Sequence, residues 1–107
     1  MPNVGDRVLA QWPQEKNWWY PGVIVTEGGG MCEVQFDDGD RATLKTDQAR
    51  PLAISIGDRV YCRWKGGGAY YPGKIANVVG AAIWVDYDDG DHEVTSIGLI
   101  RVNVNEQ

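Results

Sequence analysis

The chain has 107 residues, a net charge of −5, and 43% hydrophobic against 23% charged residues, so it carries enough apolar material to fold. No apolar run approaches the ~20 residues of a membrane helix, and the opening MPNVGDRV lacks a signal-peptide core, which together predict a soluble intracellular protein. Both halves are acidic: five Lys/Arg stand against eight Asp/Glu in residues 1–51, and five against seven in 52–107. That balance opposes nucleic-acid binding through the phosphate backbone and favours a cationic partner such as a basic peptide.

In chain order, Val8, Ala10 and Trp12 alternate with Leu9 and Gln11, the period-2 pattern of a strand. Residues 20–26 are aromatic and β-branched and predict a second strand, ended by Gly28-Gly29-Gly30. A third strand is predicted over 31–36, with Cys32, Val34 and Phe36 on one face. Asp38-Gly39 signals a hairpin into a fourth strand over 41–45, and a short fifth is expected near 49–52. The same series then restarts, with strands predicted over 59–64, 70–78, 82–87, 92–95 and 99–102. No segment has the pattern of a long helix.

The restart is an internal repeat. Val4-Gly5-Asp6-Arg7-Val8 recurs as Ile56-Gly57-Asp58-Arg59-Val60, and Trp12 as Trp64. Tyr20-Pro21-Gly22 recurs as Tyr71-Pro72-Gly73, Asp37-Asp38-Gly39-Asp40 as Asp88-Asp89-Gly90-Asp91, and Arg50 as Arg101. The offset changes from 52 to 51 between Trp12 and Tyr20, so residues 13–17 are expected to form a surface loop, matched by Lys65-Gly66-Gly67-Gly68. Five short strands per ~50-residue copy suit a small barrel, since closure removes exposed edges. The expected fold is all-β: two tandem five-stranded barrels, at 1–52 and 55–103, joined by a linker short enough to keep them in contact. Cys32 and Cys62 fall on the inward faces of different copies, so both are expected as buried, reduced thiols.

The ordered motifs Val-Gly-Asp-Arg-Val, Trp, Tyr-Pro-Gly and Phe-Asp-Asp-Gly-Asp resemble the Tudor family and the wider Royal superfamily, including Agenet-like domains, over residues 4–51 and 56–102. The resemblance implies SH3-like barrels that bind methylated lysine or arginine in an aromatic cage. Matched one by one, it implies a first cage of Trp12, Tyr20, Phe36 and Asp38, and a second of Trp64, Tyr71, Tyr87 and Asp89. Where cage-bearing relatives often have a further aromatic, this chain has Asp40 or Ala42 and Asp91 or Glu93, leaving three rings and an acidic wall per cage. The physics of the ligand agrees. A methylated ammonium is charged yet poorly hydrated, each ring face attracts it by about 0.5–2 kcal/mol, and a nearby carboxylate adds Coulomb attraction.

The implied partner is a basic or methylated peptide or protein, histone-like and nuclear in a eukaryote, cytoplasmic in a bacterium; the protein is expected to be monomeric. The first cage is expected to be the stronger, because Lys65 sets a cation beside Trp64 whereas residues 13–17 have no net charge. The alternative is an interaction module of the same fold whose aromatics merely plug the barrel mouths. Trp84, Tyr61, Trp19 and Tyr70, on outward positions, then either meet the other barrel or form a binding face. Catalysis, cofactor and metal are not expected: His92, the one histidine, reads as a solvated strand residue, and the acidic string 86–91 lacks the glycine and glutamate spacing of a calcium loop.

Overall fold

In the computed structural model, residues 3–106 are described, and they form ten antiparallel strands in two compact units that divide between Ala53 and Ile54. The first unit contains β1 (Arg7–Trp12), β2 (Glu15–Gly28), β3 (Met31–Phe36), β4 (Arg41–Lys45) and β5 (Ala49–Pro51). The second contains β6 (Arg59–Arg63), β7 (Tyr70–Val79), β8 (Ala82–Tyr87), β9 (His92–Ser96) and β10 (Ile100–Asn103). In the first, β1 pairs with both β2 and β5, and β2, β3 and β4 follow as a meander. In the second, β6 pairs with β7 and β10, and β7, β8 and β9 follow in the same way. The fold is thus all-β, a tandem of five-stranded SH3-like barrels. The helical pieces among the described residues are four three-residue 3-10 turns, none long or apolar enough to cross a membrane.

The period-2 alternation builds each core. On β3, Cys32, Val34 and Phe36 point inward and are at most 2% exposed, while Glu33 and Gln35 face away. They pack with Val8, Ala10, Ile24, Leu44 and Ala49. On β8, Ile83, Val85 and Tyr87 repeat the pattern, joined among the buried residues of the second unit by Val60, Cys62, Ile75, Ile100 and Val102. Cys32 and Cys62 are buried, free and in different units.

The repeated motifs hold this frame. Gly5 and Asp6 clip the chain onto β2, the Gly5 N–H donating to the Ile24 carbonyl and the Ile24 N–H to the Asp6 carbonyl; Gly57, Asp58 and Ile75 repeat both bonds. Gly22 sits where β2 crosses close over β3: a Cβ there would lie 2.7 Å from Val34 Cγ1 and 2.9 Å from the Gln35 carbonyl oxygen. Gly73 has the same neighbours in Val85 and Asp86, at 2.8 and 2.9 Å. Only glycine fits such an approach without displacing backbone.

Two expected loops are shorter than the sequence suggests. Residues 13–17 are not a loop: Pro13-Gln14 make a turn, and β2 already begins at Glu15, which pairs with Trp12 across a slip in register after Gln11. Between the pairs Gln11–Trp19 and Trp12–Glu15, β1 advances one residue and β2 four, so residues 16–18 bulge out of the pairing. In the second copy Trp64–Gly66 form a 3-10 turn closed by the Gly67 N–H on the Trp64 carbonyl, and β7 begins only at Tyr70. Likewise Gly28 belongs to β2, paired with Met31, so the hairpin turn is Gly29-Gly30 alone, at φ +62° and +78°.

Candidate functional site

Each barrel has a hollow lined by the same motif positions. In the first unit Trp12 from the end of β1, Tyr20 from β2, Phe36 from the end of β3, and Asp38 and Asp40 from the following turn surround a space of about 140 Å³, with Glu15 completing the wall. In the second, Trp64, Tyr71, Tyr87, Asp89 and Asp91 surround about 200 Å³. All eight residues singled out from the sequence therefore converge, four on each hollow. Alternation explains how: Phe36 and Tyr87 continue the inward faces of β3 and β8, and lie at the strand ends where each barrel opens.

The rings stand at right angles. Trp12 meets Phe36 edge to face at 5.3 Å between centroids and 79°, and Tyr20 meets Phe36 at 6.4 Å and 90°. Trp64 and Tyr87 repeat the geometry at 5.4 Å and 84°. Phe36 and Tyr87 are buried floors, 2% and 5% exposed, whereas Tyr71 is a rim residue at 47%.

The two aspartates at the head of each turn divide their work. Asp37 accepts two hydrogen bonds from the Arg7 guanidinium, one from each terminal nitrogen, at 2.6 and 2.7 Å, and both Asp88 oxygens accept from one nitrogen of Arg59 at 2.7 Å. Each arginine is held above its usual pKa chiefly by that bond. The backbone N–H of each such aspartate donates to the proline of the Tyr-Pro-Gly motif, Asp37 to Pro21 and Asp88 to Pro72, both at 3.0 Å. The second aspartate faces the hollow instead. Asp38 Oδ1 accepts the Asp40 N–H and Asp89 Oδ1 the Asp91 N–H, both at 3.0 Å, which fixes each carboxylate at the rim.

Two glutamates were missed as site residues. Glu15 Oε2 accepts the Tyr20 hydroxyl at 2.6 Å and lines the first hollow. It lay hidden in the segment read as a loop; the available signal was a tyrosine hydroxyl in need of an acceptor. Glu93 Oε1 accepts the Tyr87 hydroxyl at 2.9 Å, and its Oε2 accepts the Lys65 N–H at 3.1 Å. In the sequence it was noticed only as the place of an absent aromatic. Burial and this bond raise the Tyr87 phenol, and burial, with the Glu93 charge behind it, pushes the Cys62 thiol up to about 12.

The second hollow also differs in carrying the Lys65 ammonium 5.3 Å from the centre of the Trp64 ring. Of the outward aromatics, Trp19 is covered by the Arg50 guanidinium at 5.0 Å and Tyr70 by that of Arg101 at 4.2 Å. His92 is exposed on β9. Among the described residues no cluster of His, Cys, Asp or Glu has the makings of a metal site.

Comparison with known proteins bears on the fold. The family model for the DNA repair protein Crb2 Tudor domain matches residues 4–52. The crystal structure of the Crb2 tandem tudor domains matches with a TM-score of 0.70 at 18% identity, over 99% of this chain and 83% of that one. The crystal structure of Arabidopsis thaliana AGDP1 AGD34 matches at 13% identity and a TM-score of 0.44, over 96% of this chain and 83% of its own. No curated protein sequence matches significantly. The first barrel thus matches the Crb2 Tudor family over residues 4–52, and the tandem Tudor fold runs through both barrels.

Proposed function

We propose that this protein is a non-catalytic module that binds methylated lysine in a basic peptide, with the hollow of Trp12, Tyr20, Phe36 and Asp38 as its principal site and that of Trp64, Tyr71, Tyr87 and Asp89 as the weaker one. The observation that carries the reading is the right-angled meeting of the rings beside a carboxylate, made twice from motif positions far apart in the chain. Perpendicular walls make a box. A box suits the rounded head of a methylammonium, whereas a flat guanidinium is best stacked between parallel planes. Rings supply cation–π attraction, and Asp38 or Asp89 supplies charge and an acceptor for any N–H the ligand keeps. Three rings and one carboxylate are worth on the order of 4–6 kcal/mol, a weak site in the high micromolar to millimolar range.

The first hollow ranks higher for two reasons. It has three carboxylates, Glu15, Asp38 and Asp40, where the second has two. In the second, the Lys65 ammonium stands over Trp64 and repels an incoming cation, and among the described side chains no ammonium stands over Trp12 in this way. The matched family takes its name from a DNA repair protein, which favours a nuclear setting, and the net charge of −5 favours a cationic, histone-like partner over nucleic acid.

Trp12→Ala and Trp64→Ala, each checked for folding and titrated by NMR with a dimethyl-lysine peptide, test the reading. Trp12→Ala should abolish most of the binding and Trp64→Ala little of it. The reverse pattern makes the second hollow the principal site. An absence of shifts in the wild type removes the methyl-lysine reading and leaves an interaction module with structural aromatics.

A further inference from the structure

The two copies differ at a pair of positions that touch. Where the second has Tyr87 and Glu93, the first has Phe36 and Ala42. Ala42 pairs with Val34 across β3 and β4, and Glu93 pairs with Val85 across β8 and β9, so both lie on the inward face, diagonal to the floor ring of the hollow. Ala42 packs against the apolar core, as an inward position should. A carboxylate at such a position needs partners to offset its loss of water. Glu93 has two, one on the floor of the hollow and one beside its Trp64 wall: the Tyr87 hydroxyl at 2.9 Å and the Lys65 N–H, next in the chain to Trp64, at 3.1 Å. Lys65 has φ +50°, which among the described residues no other non-glycine residue matches with a positive φ. Such a backbone persists where surrounding bonds enforce it, and the Glu93 bond is one that does.

We propose that Glu93 is the positioning residue of the second hollow, a brace that fixes the Trp64 turn against the Tyr87 ring. This rests on the reading of that hollow as a cation site, but the brace itself can be observed without any ligand. Glu93 does not line the hollow; it acts through the floor ring and the Trp64 turn that it ties together. Losing it lets the 3-10 turn at Trp64–Gly66 relax and frees the Tyr87 hydroxyl, so the box must be assembled on binding instead of standing ready. The first hollow dispenses with this brace because Phe36 has no hydroxyl to hold, and Tyr20 is tied by Glu15 instead.

The test uses the full chain with Glu93→Ala, Glu93→Gln, Tyr87→Phe and Tyr87→Phe/Glu93→Ala. Without ligand, NMR follows the indole N–H signals of Trp64 and Trp12 and the ring signals of Tyr87. Glu93→Ala should move and broaden Trp64 and Tyr87 and leave Trp12 unchanged. Glu93→Gln, which keeps one acceptor, should restore part of the wild-type spectrum, and it carries the test should the alanine variant not fold. Titration with free dimethyl-lysine should then show at least about threefold weaker binding at Trp64, with binding at Trp12 unaltered. In the Tyr87→Phe background, Glu93→Ala should cost less than in the wild type, since half of the brace is already gone. Wild-type Trp64 and Tyr87 signals in both Glu93 variants, equal losses at both hollows, or an undiminished effect in the Tyr87→Phe background would each overturn the proposal. If dimethyl-lysine binds neither hollow even in the wild type, the proposed function falls, and the unliganded spectra still decide the brace.

Discussion

Arg7 and Asp37 meet through two N–H···O bonds of 2.6 and 2.7 Å, while Asp38, the next residue, turns its carboxylate to the hollow. Arg59, Asp88 and Asp89 repeat the arrangement. Adjacent residues of one chemical type thus serve opposite ends, the first tying the turn to the start of β1 and the second offering charge to a ligand.

Their substitutions should therefore separate. Asp37→Asn weakens a partly exposed ion pair and should lower stability by about 0.5–1 kcal/mol, with cation binding kept. Asp38→Asn should leave the urea midpoint within error and weaken dimethyl-lysine binding roughly 3- to 10-fold, since a charge-assisted contact is lost. Urea unfolding and NMR titration on both variants check the split; binding lost equally in both would refute it.

Gly22→Ala places a methyl group 2.7 Å from Val34 Cγ1 and 2.9 Å from the Gln35 carbonyl, and only the first of these can yield by side-chain movement. The expected loss is about 1–3 kcal/mol, with the same for Gly73→Ala in the second barrel. Denaturant curves read it directly, and a change under 0.5 kcal/mol, about the size of ordinary surface effects, would mean that the strands separate freely.

Glu15→Gln keeps an acceptor for the Tyr20 hydroxyl but removes a charge from the first hollow. Affinity for dimethyl-lysine should fall by roughly two- to fivefold at low salt and by less at high salt, the mark of a screened charge. Glu15→Ala should fall further, because Tyr20 also loses its anchor. Titrations at two ionic strengths distinguish charge from anchoring.

Alkaline pH should destabilise the second barrel. The Cys62 thiol is raised from 9.0 to about 12 in the fold, so the native state keeps a proton that the unfolded chain releases. The resulting stabilisation is full below pH 9 and is lost as pH rises towards about 12, at up to about 1.4 kcal/mol per pH unit. The raised Tyr87 phenol acts in the same direction. Urea midpoints from pH 7 to 10.5 should fall in the wild type and fall less steeply in Cys62→Ala. Equal slopes would contradict this account.

Much of this was legible beforehand because the repeat prints each constraint twice. Alternation set Phe36 and Trp12 on inward faces, and the resemblance to the Tudor family, matched motif by motif, implied which residues would meet in each hollow. Only the family resemblance singled out Asp38 over Asp37, since turn chemistry favours aspartate at both positions and the partner that marks Asp37, Arg7, is distant in the chain. Glu15 was missed because an insertion suggests a loop, whereas here β2 begins at Glu15 and residues 16–18 bulge from its pairing with β1. Glu93 was missed because its meaning lies in contacts across the barrel, to Tyr87 and Lys65, which no local spacing encodes.

The Gly29-Gly30 turn has a consequence for chirality. At φ +62° and +78°, both positions have the backbone hand that mirror-image amino acids prefer. An L-alanine at either position meets a penalty of roughly 1–2 kcal/mol, whereas a D-alanine enters its own preferred region and narrows the unfolded ensemble besides. A semisynthetic chain carrying D-alanine at position 30 should consequently outlast the all-L protein, making this hairpin a place where the module accepts the opposite enantiomer more readily than its own.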